Sequence, residues 1–230
     1  MTIAAENAGY AIKGKPLLGG VEITFQPGRL AVVIGPNGAG KSTLMRLLTG
    51  EIAPTTGRVL IGGRNLRSYA PADLAKTRAV VPQHTALGFP FSVIEVAQLG
   101  VTVPGLMSHG TRSRRLAEAM LDRVGLSTLA GRDYSSLSGG ERQRVHIARA
   151  LCQLEATADS RTPHALLVDE PTSSLDIAHQ LDVLKELRSQ ADRGRIVVAI
   201  LHDLNLAAAY ADDILLLSQG RKGRSAPRAR

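Results

Sequence analysis

One short run constrains this chain more than any other. Gly35-Pro36-Asn37-Gly38-Ala39-Gly40-Lys41-Ser42-Thr43 follows directly on the apolar residues Leu30–Ile34. An apolar run without alternation reads as a strand covered on both faces. The residues from Lys41 to about Thr49, stopped by Gly50, read as a helix. Strand, glycine loop and helix in that order make a phosphate-binding loop in the setting it requires. The glycines let the main chain curl round a phosphate without side-chain clash. The N–H groups from about Asn37 to Thr43 point inward, and the positive end of the helix dipole adds to them. Lys41 is placed to reach β- and γ-phosphates, and Ser42 to put its hydroxyl on Mg²⁺. The plain alternative, a glycine-rich strand-to-helix turn, fits this spacing and context poorly.

A second run carries acids. Ala165-Leu-Leu-Val-Asp169-Glu170 is a buried strand ending in two carboxylates. Such a pair is costly unless a cation lies nearby. Asp169 suits Mg²⁺, directly or through water. Glu170 suits a general base facing an attacking water. The alternative is a strand running into an acidic turn, and the phosphate loop in the same chain weighs against it. A third run, Leu137-Ser138-Gly139-Gly140-Glu141, opens a helix. Ser138 and the amides of Gly139 and Gly140 stand where a helix start binds anions. It makes no sense as a second phosphate site for the same nucleotide in so small a chain, but it makes good sense if a second copy presents it to the γ-phosphate. A capping role for Ser138 and Glu141 is compatible with that.

The rest of the chain fits an α/β fold. Expected strands are Val21–Phe25, Leu30–Ile34, Arg58–Ile61, Ala79–Val81, Ala165–Asp169, Arg195–Leu201 and Ile214–Leu217. Further helices are expected from about Gly139 to Leu154 and from about Leu175 to Gln190. Residues from about 90 to 137 show little strand signal and read as an inserted helical lobe, and Glu155–His164 as a surface loop. Residues 1–218 then form one domain, and the basic stretch 219–230 is expected to be disordered. The chain is 44% hydrophobic, too apolar for a disordered protein. Its one cysteine, Cys152, excludes an internal disulfide framework and reads as a buried helix residue. No apolar run approaches the roughly 20 residues that span a bilayer, and the first residues lack the pattern of a secretory signal. The net charge of +8 suggests an anionic partner, yet five of the positive charges lie in 219–230, leaving +3 for residues 1–218.

These motifs, in their order, resemble an ATP-binding cassette (ABC) ATPase subunit. The resemblance covers roughly residues 6–220 and rests on Gly35–Thr43, Gln83, Leu137–Glu141, Leu166–Glu170, Ser174-Leu-Asp176 and His202. The signature Leu-Ser-Gly-Gly-Glu, its Glu141 standing 29 residues before Glu170, is the most specific of them. The resemblance implies a P-loop NTPase fold: a RecA-like mixed-sheet core with an antiparallel β subdomain and an inserted helical subdomain. It also implies roles. Gln83 touches Mg²⁺ and water and links the core to the helical lobe. Asp176 shapes a dimer interface. His202 contacts the γ-phosphate. Tyr10 either stacks on adenine or packs in the core. Arg142, Arg144 and Arg149 stay unassigned. Two copies would close on two ATP molecules, each held between the phosphate loop of one and the signature of the other.

Within the family, the likeness runs to the ATPases of iron-chelate, haem and cobalamin importers. It is carried by Arg78–Val96, Gly131–Glu141 and Leu201–Asp213. The implied work is ATP hydrolysis at the cytoplasmic face of the inner membrane, energising haem uptake through a separate polytopic permease dimer, with a periplasmic haem-binding protein acting indirectly. An iron-siderophore or cobalamin permease is the rival, and a soluble ABC ATPase on nucleic acid the reading of another class; no nucleic acid is expected. Arg142 stands where this subfamily often has Gln. After Gly220 the family usually continues with another strand and helices, whereas this chain reads as a short basic end.

Overall fold

The computed structural model describes residues 1–83, 88–102, 110–157, 164–218 and 220–227, the stretch 221–227 by backbone alone. The strands are β1 Ile3–Ile12, β2 Lys15–Phe25, β3 Leu30–Ile34, β4 Thr56–Ile61, β5 Arg64–Asn65, β6 Arg78–Val81, β7 Ala165–Asp169, β8 Ile196–Ile200, β9 Asp213–Ser218 and β10 Arg221–Pro227. The helices are α1 Lys41–Thr49, α2 Pro71–Thr77, α3 Val93–Gln98, α4 Thr111–Arg123, α5 Gly139–Ala156, α6 Ile177–Asp192 and α7 Leu204–Tyr210.

Two sheets form. An antiparallel sheet has the order β2-β1-β4-β5, and a larger one the order β10-β9-β3-β8-β7-β6. In the larger sheet every pair is parallel except β9–β10. Its central strands β3, β7 and β8 are apolar on both faces because both faces are covered. Leu30, Val32 and Ile34 of β3 join Leu166, Val168, Val197 and Ala199 in a core shared with α3, α4, α5 and α6. Ala31 and Val33 turn the other way, with Leu167, Val198 and Ile200, onto α1 and the antiparallel sheet. Each buried valine, leucine or isoleucine contributes roughly 1.5–3 kcal/mol. This sandwich fixes the ends of β3, β6, β7 and β8 side by side, and the candidate site is built on those ends.

Between β6 and α5 the described residues form helices and no named strand. Helices α3 and α4 pack on each other and on α5. The ends of this stretch are tied where Val93 N donates to Arg132 O and Tyr134 N to Phe91 O.

Three expectations are corrected. The main chain of Arg221–Pro227, expected to be disordered, pairs antiparallel with β9. A basic stretch promises no core burial, but an open sheet edge accepts any extended main chain whatever its side chains. Residues 219 and 228–230 lie outside the described residues. Glu155 and Ala156, expected to open a surface loop, still belong to α5, and Glu155 accepts from Arg193 and Arg195 at 3.1 Å each. His164 is buried, and 158–163 lie outside the described residues. Finally, β1 was not expected. It is rich in alanine, carries register shifts after Ala5 and Ala8, and has Asn7 at φ 46°, so its alternation is broken.

Candidate functional site

The phosphate-binding loop leaves β3 and enters α1, whose main-chain donors at the start are uncapped by any side chain. The loop is built on close main-chain approaches. A Cβ on Gly35, at φ 153°, would fall 2.2 Å from Leu217 O; one on Gly40, at φ 92°, would fall 3.0 Å from Leu17 O. Pro36, Asn37 and Gly38 are exposed, whereas Ala39 and Lys41 are buried. Lys41 Nζ donates to Gly35 O at 2.9 Å and Pro36 O at 3.1 Å, so the ammonium bridges the loop it belongs to. Ser42 and Thr43 are half-buried at the first turn. Leu17, residues 37–43 and Glu170 line a cleft of about 360 Å³.

The acids stand at the end of β7. Asp169 is 8% exposed, and its Oδ1 has no hydrogen-bond partner among the described residues. Burial, with the Glu170 charge beside it, pushes its carboxyl up to about 6, against the pull of Lys41 and His202. An orphaned, buried carboxylate oxygen beside a phosphate loop is what a hard cation site looks like before its ion is considered. Mg²⁺ therefore fits the residues present. Glu170 adopts φ 50°, an uncommon left-handed backbone for a residue with a Cβ. Its two oxygens are both engaged: Oε2 accepts from Gln83 Nε2 at 2.6 Å, and Oε1 lies 2.6 Å from His202 Nε2. Three residues far apart in sequence, from the ends of β6, β7 and β8, thus meet on one carboxylate.

The signature lies on another part of the surface and does not line the cleft. Ser138 caps α5: its Oγ accepts from Glu141 N at 3.3 Å, while Glu141 Oε2 accepts from Ser138 N and Oγ at 2.8 Å each. Those bonds hold the Glu141 carboxyl below its ordinary value. Gly139 and Gly140 pack on the Ser174–Leu175 turn, and a Cβ on Gly140 would fall 2.8 Å from Leu175 Cδ2. Asp176 caps α6, accepting from His179 N at 2.9 Å, and its side chain is exposed. Tyr10 stands opposite Leu18 in the β1–β2 ladder and packs on the core; it is not among the cleft residues.

Several positions carry more than their sequence reveals. Leu17 lines the cleft, yet nothing in a Pro-Leu-Leu-Gly run marks it. Arg149, unassigned from sequence, donates to Val80 O at 3.0 Å and so holds the strand that leads to Gln83. Arg144 is buried and donates to Val124 O at 3.1 Å. Cys152 is fully buried, its thiol pushed up to about 12 by burial, and is inert.

Comparison with known proteins gives the same direction. The family model described as "ABC transporter" matches residues 18–173. A curated protein of Rhodopseudomonas palustris, "Hemin import ATP-binding protein HmuV", is 48% identical over 219 residues, covering 95% of this chain and 80% of its own. Among solved structures, the dimeric ATP-binding cassette MJ0796 bound to ADP and Pi superposes with a TM-score of 0.85 at 26% identity, with all of both chains covered. An inward-facing putative metal-chelate type ABC transporter matches with a TM-score of 0.79 at 29% identity, over 99% of this chain and 83% of that one.

Proposed function

This chain belongs to the ABC transporter family and is one of its ATP-hydrolysing cassettes, and on that premise we propose that it energises the import of hemin through a separate membrane permease. The cargo reading is supported by the name of its 48%-identical relative. Among the described residues no helix is long and apolar enough to cross a membrane, so the membrane-crossing part of the transporter lies outside them. The subunit works as a homodimer at the cytoplasmic face of the inner membrane, and the helical stretch from α3 to α4 serves as a lobe inserted in its catalytic core.

The observation that carries the mechanism is the shared carboxylate of Glu170. The loop N–H groups and Lys41 hold the phosphates of ATP. Glu170, at the rim of the same cleft, takes a proton from the water that attacks the γ-phosphorus, and ADP leaves. Gln83 and His202 fix the carboxylate from both sides, so its orientation is set before reaction. Ser42, Asp169 and Gln83 would hold Mg²⁺, which when bound supplies neutralisation of the phosphate charge. In one chain the signature stands away from the cleft, so Ser138, Gly139, Gly140 and Glu141 act on the nucleotide of the second copy. Asp176 serves the contact between copies, and Tyr10 flanks the adenine end.

The test is growth. A strain lacking this chain should fail on hemin as its only iron source while still growing on a ferric siderophore. Restoring the chain should rescue growth, and restoring it as Glu170→Gln should not. Undiminished growth on hemin would overturn the cargo, and rescue by Glu170→Gln would overturn the base.

A further inference from the structure

The phosphate loop touches nucleotide on one side; on its other side it rests on main chain from the turn between β9 and β10. Gly220 is buried at that turn with φ +70°. Its N–H donates to Ala39 O, inside the loop, at 3.2 Å, and its carbonyl accepts from Gly19 N of β2. A Cβ added at Gly220 would fall 2.9 Å from Leu17 O, and Leu17 lines the nucleotide cleft. One strand earlier, Leu217 O backs the loop at Gly35 with the same lack of room. The atoms nearest a Cβ at Gly220 are all main chain of Leu17 and Leu18, while at Gly40 the Leu18 side chain packs beside Leu17 O, so at Gly220 the loop is backed by main chain against main chain.

We propose that Gly220 is a positioning residue for ATP binding: it clamps Ala39 of the phosphate loop to β2, and it has to be glycine because a Cβ there would displace Leu17 and the loop together. The proposal rests on the reading of Gly35–Thr43 as the ATP site. A displacement of the loop moves every N–H that meets phosphate, whereas Glu170, held by Gln83 and His202, stays where it is. The cost therefore falls first on ATP affinity, and on the chemical step to the extent that the γ-phosphate moves away from Glu170.

Backbone strain alone has to be separated from displacement, and the chain supplies a control. Gly63 has φ +79° and nothing within 4 Å of an added Cβ. Gly63→Ala carries the left-handed strain without touching the loop. Gly220→Asn lessens the strain, since asparagine tolerates this conformation, while keeping the Cβ. The measurements are ATP KM and kcat on the purified full chain, with thermal melting in the absence of nucleotide. Gly220→Ala and Gly220→Asn should both raise the ATP KM by on the order of tenfold, with any fall in kcat accompanying that rise. Gly63→Ala should melt earlier with an unchanged KM. A Gly220→Asn protein with the wild-type KM, or a KM no more affected in Gly220→Ala than in Gly63→Ala, would overturn the proposal. If Gly220→Ala does not fold, Gly220→Asn carries the comparison. Failure of the wild-type chain to hydrolyse ATP would instead overturn the site reading beneath it.

Discussion

At the scale of single residues, the site is paid for in stability at Asp169. A carboxyl raised to about 6 in the folded chain, from 3.8 when free, is one whose ionised form opposes folding. The penalty is absent below about pH 4, grows as pH rises through 6, and is complete by about pH 8. Asp169→Asn should thus stabilise the metal-free protein at pH 8 by about 1–3 kcal/mol, a gain that vanishes near pH 4, while ATP hydrolysis is lost. Denaturant melts at the two pH values in EDTA check this, and a variant equally stabilised at both would remove the ionisation argument. Lys41, Ser42, Asp169 and Glu170 were legible in the sequence because their chemistry demands those residue types in that pattern, whereas Gln83 and His202 were marked only by the family resemblance. The contacts were not legible: the meeting of Gln83, Glu170 and His202 depends on three strand ends becoming neighbours.

At the scale of elements, legibility followed burial. The expected bounds of β3 and β7 coincide with the observed ones, because a strand covered on both faces must be apolar throughout. Strands with an interrupted or basic pattern left weaker traces: β1 buries Ile3, Ala5 and Ala8 but is interrupted by bulges, and β10 borrows the edge of β9. Helix α5 shows how one cap serves two ends. The Ser138–Glu141 capping box starts the helix whether or not a nucleotide ever meets it. Ser138→Ala should cost about 1 kcal/mol of stability, and Ser138→Thr, which keeps a hydroxyl acceptor, much less. If Ser138 also faces the partner's γ-phosphate, Ser138→Ala should lose far more ATP turnover than that destabilisation explains. Turnover that merely follows the folded fraction would leave Ser138 as a cap alone.

At the scale of the whole molecule, two sheets sandwich the phosphate loop, and the alternation of β3 between two cores could be read from composition only as burial on both sides, not as a meeting of two sheets. The strand order holds a further consequence, one of timing. The strand that presents the loop is among the earliest made, Leu30–Ile34, yet its only sheet neighbours are Ile196–Ile200 and Asp213–Ser218. During synthesis β3 therefore waits, apolar on both faces and without a ladder partner, for most of the chain. Nascent chains stalled with Arg195 as the last emerged residue should be cut readily by protease and should not be retained on immobilised ATP, whereas chains released after Gly220 should be protected and retained. Protection before β8 emerges would show that helices alone can hold β3. For a cell, the ATP site is then a property the chain acquires only once Asp213–Ser218 has left the ribosome, and until that moment an apolar strand without a partner is cargo for a chaperone.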